Sequence, residues 1–468
     1  MKKICFTLCL MLIVSYLISV PAYPGLIRFK QPDGKELDIY LKGDERVNWA
    51  ETPDGYTMLF NGKGFYEYAE LDEYGDLIPS GVAASDEAAR SNEEQFLVSR
   101  TPKGLRYSRS QVDLMIQVWN AKERHTRAFP TIGNRRLICL LIGFQDLPFT
   151  KTQSQFDNLF NQIGYSPTTT GGSVREHFLE SSYGQLDLLT DVAGPFMAAN
   201  NMAYYGDRGG ELCTEAINAA DPTVDFSLYD NDGDGWVDGV YMIHAGYGKH
   251  AGGPEGSIWA HAGSLPQVLL KDGVQISRYA TSCELRYSNG NQISDPGIIC
   301  HEFGHVLGAP DYYDVNYAVG GQYPGLGDWC LMADGCWNDY GDYPAHINGF
   351  AKVHHYNWAS FNLLDSPSVV LMNNSTEHSD SFYRYNTTTP NEYFILENRR
   401  KIGFDAHIPG EGLLIYHVHS DYASAGNSIN ATHPQKMYLV SQNATSDPTS
   451  SPASYGVINA ASAAWPGS

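Results

Sequence analysis

His301-Glu302-Phe303-Gly304-His305-Val306-Leu307-Gly308-Ala309-Pro310-Asp311 is the stretch from which the rest of the chain is best read. Positions four apart on a helix share a face, so His301 and His305 can present both imidazoles to one ion while Glu302 stands beside it. Glycine tolerates left-handed backbone, which predicts that a helix over Ile298–Leu307 stops at Gly308 and that the chain turns a carboxylate back toward the histidines. Asp311 is placed to be that carboxylate, and Asp314, at the end of the following Tyr312-Tyr313 pair, is its rival. Two imidazoles and one carboxylate suit zinc and leave a fourth position for water. By chance the five-position pattern should arise in on the order of one in ten thousand chains of this length.

This ligand set predicts a zinc-dependent endopeptidase that hydrolyses peptide bonds of extracellular or host proteins through a zinc-activated water, with Glu302 as general base. Two other classes fit parts of the sequence: a binding or adhesive protein built on a degenerate protease domain, and a metal-dependent hydrolase of non-peptide substrates. The first needs a broken site, and His301, Glu302 and His305 are all in place.

Working outward, 468 residues suggest about three domains. A hydrophobic share of 43% with 18% charged residues belongs to folded, globular chains. The formal net charge of -22 argues against nucleic acid as a partner, because phosphate contacts need clustered Lys and Arg. Lys2 and Lys3, the apolar run Ile4 to Val20 and the small-residue end Val20-Pro21-Ala22 read as a secretory signal peptide over residues 1–22, hence a secreted, extracellular protein. No other stretch is long and apolar enough to span a membrane. Beyond Ala22 six cysteines remain, Cys139, Cys213, Cys283, Cys300, Cys330 and Cys336. Their even number permits disulfides, with Cys330 and Cys336 the nearest candidate pair.

Residues 23–130 read as a β-rich propeptide domain with a helical linker: Asp-Gly and Asn-Gly turns separate short strands up to about Ser85, and helical spacing follows to about Asn120. Between Arg100 and Arg136 nine Lys or Arg residues face only Asp113 and Glu123, the composition of a cleavable linker and a target for an activating protease. Residues 131–359 read as the catalytic domain. It opens on the apolar strand Arg136–Gly143 and continues with helices over Ser154–Ile163 and Ser173–Ser182. Strands are expected over Gln185–Val192, Gly239–Ala245 and Ile276–Glu284, and a last helix over Pro344–His355. Residues 360–468 read as a β-rich C-terminal domain, truncated at its end. The fold class expected is α+β, with α/β-like alternation in the first part of the catalytic domain.

Asp230-Asn231-Asp232-Gly233-Asp234-Gly235-Trp236-Val237-Asp238 alternates acidic side chains around a glycine at the sixth position, as a calcium loop requires. Asp230, Asp232, Asp234 and Asp238 are the expected ligands of a structural calcium ion, although Tyr241 stands where a twelfth-position Glu would complete the shell. His244, His261, His346, His354 and His355 are expected to be packing or surface histidines.

The chain resembles the metzincin-like immune inhibitor A family of bacterial metallopeptidases. The resemblance rests on HEFGHVLGAPDYYD (301–314), GDWCLMADGCW (327–337), PAHINGFAKVHHYNW (344–358) and EYFILENRRKIGFDAHIPGEGLLIYH (392–417), and covers about Leu137 to His417. It implies a zinc endopeptidase with His301, His305 and Asp311 as ligands, Glu302 as base, and Met332 in the turn beneath the metal. Tyr312 and Tyr313 are candidates to assist at the oxyanion. Some related proteases silence their zinc with a propeptide cysteine; none occurs between Ala22 and Cys139, so an inhibiting N-terminal domain must use a carboxylate or steric cover.

Overall fold

The computed structural model describes residues 18–120, 129–166, 171–316, 323–424, 426–445 and 452–466. Most of the signal-peptide reading and the middle of the basic linker, at 121–128, lie outside the described residues. The chain enters as a two-residue strand, β1 (Ile18–Ser19), and then winds a six-stranded antiparallel meander: β2 (Leu26–Lys30), β3 (Glu36–Gly43), β4 (Asn48–Glu51), β5 (Thr57–Phe60), β6 (Tyr66–Leu71) and β7 (Leu77–Ala83). Burial alternates along β3, placing Leu37, Ile39 and Leu41 inward, the period-two pattern of a sheet with one covered face. Helices α1 (Asn92–Arg100) and α2 (Arg109–Asn120) follow. The first begins at a Ser91 N-cap whose side chain and that of Glu94 satisfy each other's backbone N–H groups.

The second sheet runs in the order β1-β11-β12-β10-β8-β9, from β8 (Gly133–Gly143), β9 (Leu186–Met197), β10 (Val240–Tyr247), β11 (His261–Lys271) and β12 (Val274–Leu285). Strands β8, β9, β10 and β12 are parallel, β11 turns back antiparallel on β12, and β1 pairs antiparallel with β11. The apolar run in β8 is buried on both faces: Leu137, Cys139 and Leu141 join one core, Ile138, Leu140 and Ile142 the other. Helices α3 (Gln153–Asn161), α4 (Val174–Ser181), α5 (Met202–Tyr205), α6 (Gly209–Ala220), α7 (Pro296–Val306) and α8 (Gly349–His354) belong to the same region. Of these, α3, α4 and α7 pack into the first core and α6 into the second. Mixed helix and sheet agree with the α+β class. The elements not expected here include α5, α6, the short β1, and β11, whose hairpin with β12 turns on Asp272-Gly273, both at positive φ.

The third sheet is β13 (Phe361–Leu363), β14 (Phe382–Asn386), β15 (Tyr393–Arg399), β16 (Gly412–Val418) and β17 (Met437–Leu439), paired in chain order. A buried polar junction joins it to the segment before α8: Arg399 Nε donates to Asp405 Oδ2 at 2.8 Å, and Asp405 Oδ1 accepts the His346 backbone N–H at 2.9 Å. Buried charges with every partner in place resist sliding, because removing one strands the other.

All six cysteines past Ala22 are buried free thiols, which corrects the expectation of a Cys330–Cys336 pair. The short turn between them is closed by backbone instead, Cys330 O accepting from Ala333 and Gly335, while Cys330 Sγ takes the Asn348 amide at 3.4 Å. Among the described residues no helix is long and apolar enough to cross a membrane.

Candidate metal and catalytic site

Helix α7 is set by its ends. Asp295 caps it, accepting from Ile298 N at 3.1 Å, and Pro296 occupies the first turn, where no donor is missed. At the far end Gly308 takes φ 109°, and Ala309 N bonds back to Gly304 O. The turn that follows brings Asp311 under the histidines, as the glycine spacing predicts.

His301 Nε2 and His305 Nε2 lie 3.2 Å apart, and Asp311 Oδ1 is 3.4 Å from each. The other imidazole nitrogens are committed: Nδ1 of His301 to Leu331 O and Nδ1 of His305 to Ala309 O, both at 2.8 Å. Donation from Nδ1 fixes the tautomer that leaves each Nε2 lone pair facing the common point. Burial holds His305 below its ordinary pKa, in the neutral form that can ligate, against the pull of Asp311. Asp311 Oδ1 and Glu302 Oε2 have no hydrogen-bond donor although fully buried. Orphaned carboxylate oxygens beside two converging imidazoles are costly without a cation, and the set fits a zinc ion.

Met332 is fully buried, and its backbone O accepts from Tyr312 N at 2.8 Å. Its sulfur lies 2.5 Å from where a Cβ on Gly304 would sit, so it packs against the metal helix from below. Asp314 is turned elsewhere, accepting from Asn316 N at 2.7 Å and Tyr323 N at 3.2 Å, and it does not join the histidine cluster. The Tyr312 hydroxyl meets that of Tyr422 at 3.2 Å, and Tyr313 is buried. The five histidines set aside as packing have local partners: His244 with Ala245 O, His261 with Tyr279, His346 with Glu180, His354 with Tyr393 and His355 with Tyr422.

Two N-terminal segments lie over the site, and neither could be named from sequence. Past β1 the chain crosses Glu302: Val20 N donates to Glu302 Oε1 at 2.8 Å, Trp259 Nε1 holds Val20 O at 2.9 Å, and Trp337 Nε1 holds Pro21 O at 3.1 Å. The β3–β4 hairpin inserts its tip, Asp44-Glu45-Arg46-Val47, beside it. Asp44 Oδ1 accepts from Arg46 N and Val47 N, and Arg46 Nη2 comes within 3.8 Å of Asp311 Oδ2. Gly43 at φ 94° is required there, since a Cβ would meet Val47 O at 1.9 Å. Burial pushes the Glu302 carboxyl well up, with Glu45 and Asp311 adding to it and the Val20 N–H opposing.

In the acidic loop the carboxylates of Asp230, Asp232 and Asp234 come together. Asp230 accepts from Gly233 N, Asp234 N and Gly235 N at 2.9 to 3.0 Å, so the loop also closes on itself. Asp238 stands apart, bonded through Oδ2 to Asn231 N and Nδ2, with burial raising its pKa to about 6. Tyr241 points into the core, donating to Ser282 Oγ at 3.1 Å.

Comparison with known proteins now bears on this geometry. Residues 144–359 match the family described as Immune inhibitor A peptidase M6, catalytic domain. The matched segment contains His301, Glu302, His305 and Asp311. The chain is similar to the "Pre-pro-metalloprotease PrtV" of Vibrio cholerae serotype O1, with 26% identity over 314 residues that cover 53% of this chain and 34% of that protein. It is also similar to "Immune inhibitor A" of Bacillus thuringiensis subsp. alesti, with 30% identity over 148 residues covering 27% of this chain and 21% of that protein. The chain thus spans about a third or less of the length of these relatives.

Proposed function

We propose that this chain is a secreted zinc-dependent endopeptidase of metzincin-like build, synthesised in a latent form. The convergence of His301 Nε2, His305 Nε2 and Asp311 Oδ1 within 3.4 Å, with Glu302 beside them, carries the reading. Zinc, when bound, lowers the pKa of a water and polarises the scissile carbonyl. Glu302 accepts the water proton at a carboxylate oxygen and returns it to the leaving nitrogen. Met332 and Gly308 support the ligands, the first as floor of the helix and the second as its turn.

A peptide substrate adds to the free edge of β11 as an antiparallel strand, where main-chain pairing gives affinity without regard to sequence. In the present arrangement β1 holds that edge, and the Val20 amide stands where a leaving nitrogen would meet Glu302. Signal cleavage after Ala22 removes this strap, and the hairpin tip at 44–47 remains as the cover that residues 23–130 hold in place. Cutting in the basic stretch Arg100–Arg136 by an activating protease then releases the cleft. Calcium, bound by Asp230, Asp232 and Asp234 with Asp238 supporting the loop through Asn231, serves as a structural ion. The partners are protein or peptide substrates; the charge of -22 disfavours nucleic acid.

The test is hydrolysis of fluorescent casein by the full chain before and after limited trypsin, beside Glu302→Ala, with zinc content read on both. Activity that appears on trimming and is absent from a zinc-loaded Glu302→Ala protein supports the reading. A zinc-loaded, trimmed parent that leaves casein intact overturns it.

A further inference from the structure

The third sheet reaches the metal triad through one side chain. Asn427 lies in the segment between β16 and β17, 116 residues beyond Asp311 and outside the matched catalytic domain, yet is only 2% exposed. Its amide grips Asp311 twice: Oδ1 accepts the Asp311 backbone N–H at 2.7 Å, and Nδ2 donates to Asp311 Oδ2 at 2.9 Å. The segment is itself fixed on the turn after the metal helix, Asn430 Nδ2 donating to Tyr312 O at 2.8 Å and Asn316 Nδ2 to Ala431 O at 3.0 Å.

A carboxylate has two equivalent oxygens and a soft terminal torsion, so nothing intrinsic to Asp311 decides which oxygen faces the imidazoles. The Asn427 fork decides it, occupying Oδ2 and leaving Oδ1 directed at both Nε2 atoms. Arg46 also approaches Oδ2, but from the N-terminal hairpin; once that hairpin leaves, Asn427 is the group still holding it. We propose that Asn427 is a positioning residue for the zinc ligand Asp311, so that residues 360–468 complete the metal site rather than hang from it. This rests on Asp311 being a ligand. Groups that hold a ligand from behind are worth about ten- to a hundredfold in metal affinity.

The experiment uses the full chain in a Glu302→Gln background, which keeps proteolysis out of the measurement. Zinc affinity is read by chelator competition, and the cobalt(II) absorption bands of the substituted protein report ligand geometry. Asn427→Leu removes both contacts; Asn427→Asp, of the same size, keeps the acceptor and replaces the donor by a second carboxylate. Both are expected to weaken zinc by about ten- to a hundredfold and to shift the cobalt bands in protein that metal-free unfolding curves show to be folded at the assay temperature. Asp311→Ala is the control and should lose more. If Asp311→Ala loses zinc while both Asn427 variants keep the parent's affinity and spectrum, the positioning role is wrong. If Asp311→Ala keeps zinc at parental affinity, the ligand assignment falls and the role of Asn427 falls with it.

Discussion

Two clusters of metal-type residues were plain in the sequence, and the fold treats them in opposite ways. At His301, His305 and Asp311 the converging side chains are buried, the Nδ1 atoms behind are tied to backbone carbonyls, and Asp311 Oδ1 has no donor. At Asp230, Asp232 and Asp234 the side chains are near the surface, and Asp230 is already satisfied by three backbone N–H groups of its own loop. The first arrangement carries an electrostatic debt that a cation relieves; the second is a turn that stands without one and that a cation would tighten. Proximity of carboxylates therefore says less about a metal than the balance of desolvation against local hydrogen bonds does.

The contrast can be broken by experiment, most sharply at Glu302. Glu302→Gln should lower kcat/KM by about a thousandfold with zinc content unchanged, since a general base is worth about 10²–10⁴. A loss of zinc in that variant would make Glu302 a ligand and erase the distinction drawn here. The cover comes next: Arg46→Ala, which loses the Asp44 pairing at the hairpin tip, should raise the activity of the untrimmed chain several-fold and leave the trimmed enzyme unchanged, read on fluorescent casein.

For the acidic loop, saturating calcium at about a hundred times its Kd should stabilise the fold by about 2.7 kcal/mol, seen as a rise of several degrees in Tm. Asp230→Ala should abolish that rise and lower Tm without calcium too, because three backbone donors lose their acceptor. A Tm indifferent to calcium would leave the loop as a turn alone. A further effect is expected at Asp314, whose carboxyl burial pushes up to about 8 against the Asn316 and Tyr323 N–H bonds. The folded state then keeps a proton that the unfolded chain releases, so stability is full below the ordinary carboxylate range and is lost as pH rises toward 8. Asp314→Asn should flatten Tm against pH over that interval while retaining zinc; loss of zinc would restore Asp314 as the third ligand.

Local chemistry was legible and tertiary placement was not. The helix ending at Gly308, the buried strand at 136–143 and the Ser173 helix all follow from capping residues and periodicity, which act within a few residues. The hairpin turn at Asp272-Gly273 carried the same kind of signal, but the mixed pattern of Leu265, Val268, Leu269 and Leu270 obscured the strand before it. The cover at 44–47 and the Asn427 fork lie 267 and 116 residues from Asp311 along the chain, as 311 − 44 and 427 − 311. No spacing rule reaches that far, and an asparagine in a Ser- and Asn-rich segment looks like any other surface residue. The candidate pair Cys330–Cys336 illustrates the same limit: closeness in sequence made it the nearest candidate, whereas both thiols are free and the turn between them is closed by backbone hydrogen bonds.

The contact between Gly304 and Met332 changes what counts as the motif. Written as letters, the position before the second histidine is a free choice; here it holds no side chain because a sulfur from 28 residues further on fills the space, as 332 − 304. The two positions are therefore sterically coupled. Anyone grafting this helix into another scaffold should treat the glycine and the methionine loop as a single specification: a larger residue at 304 meets the Met332 sulfur and requires a smaller floor.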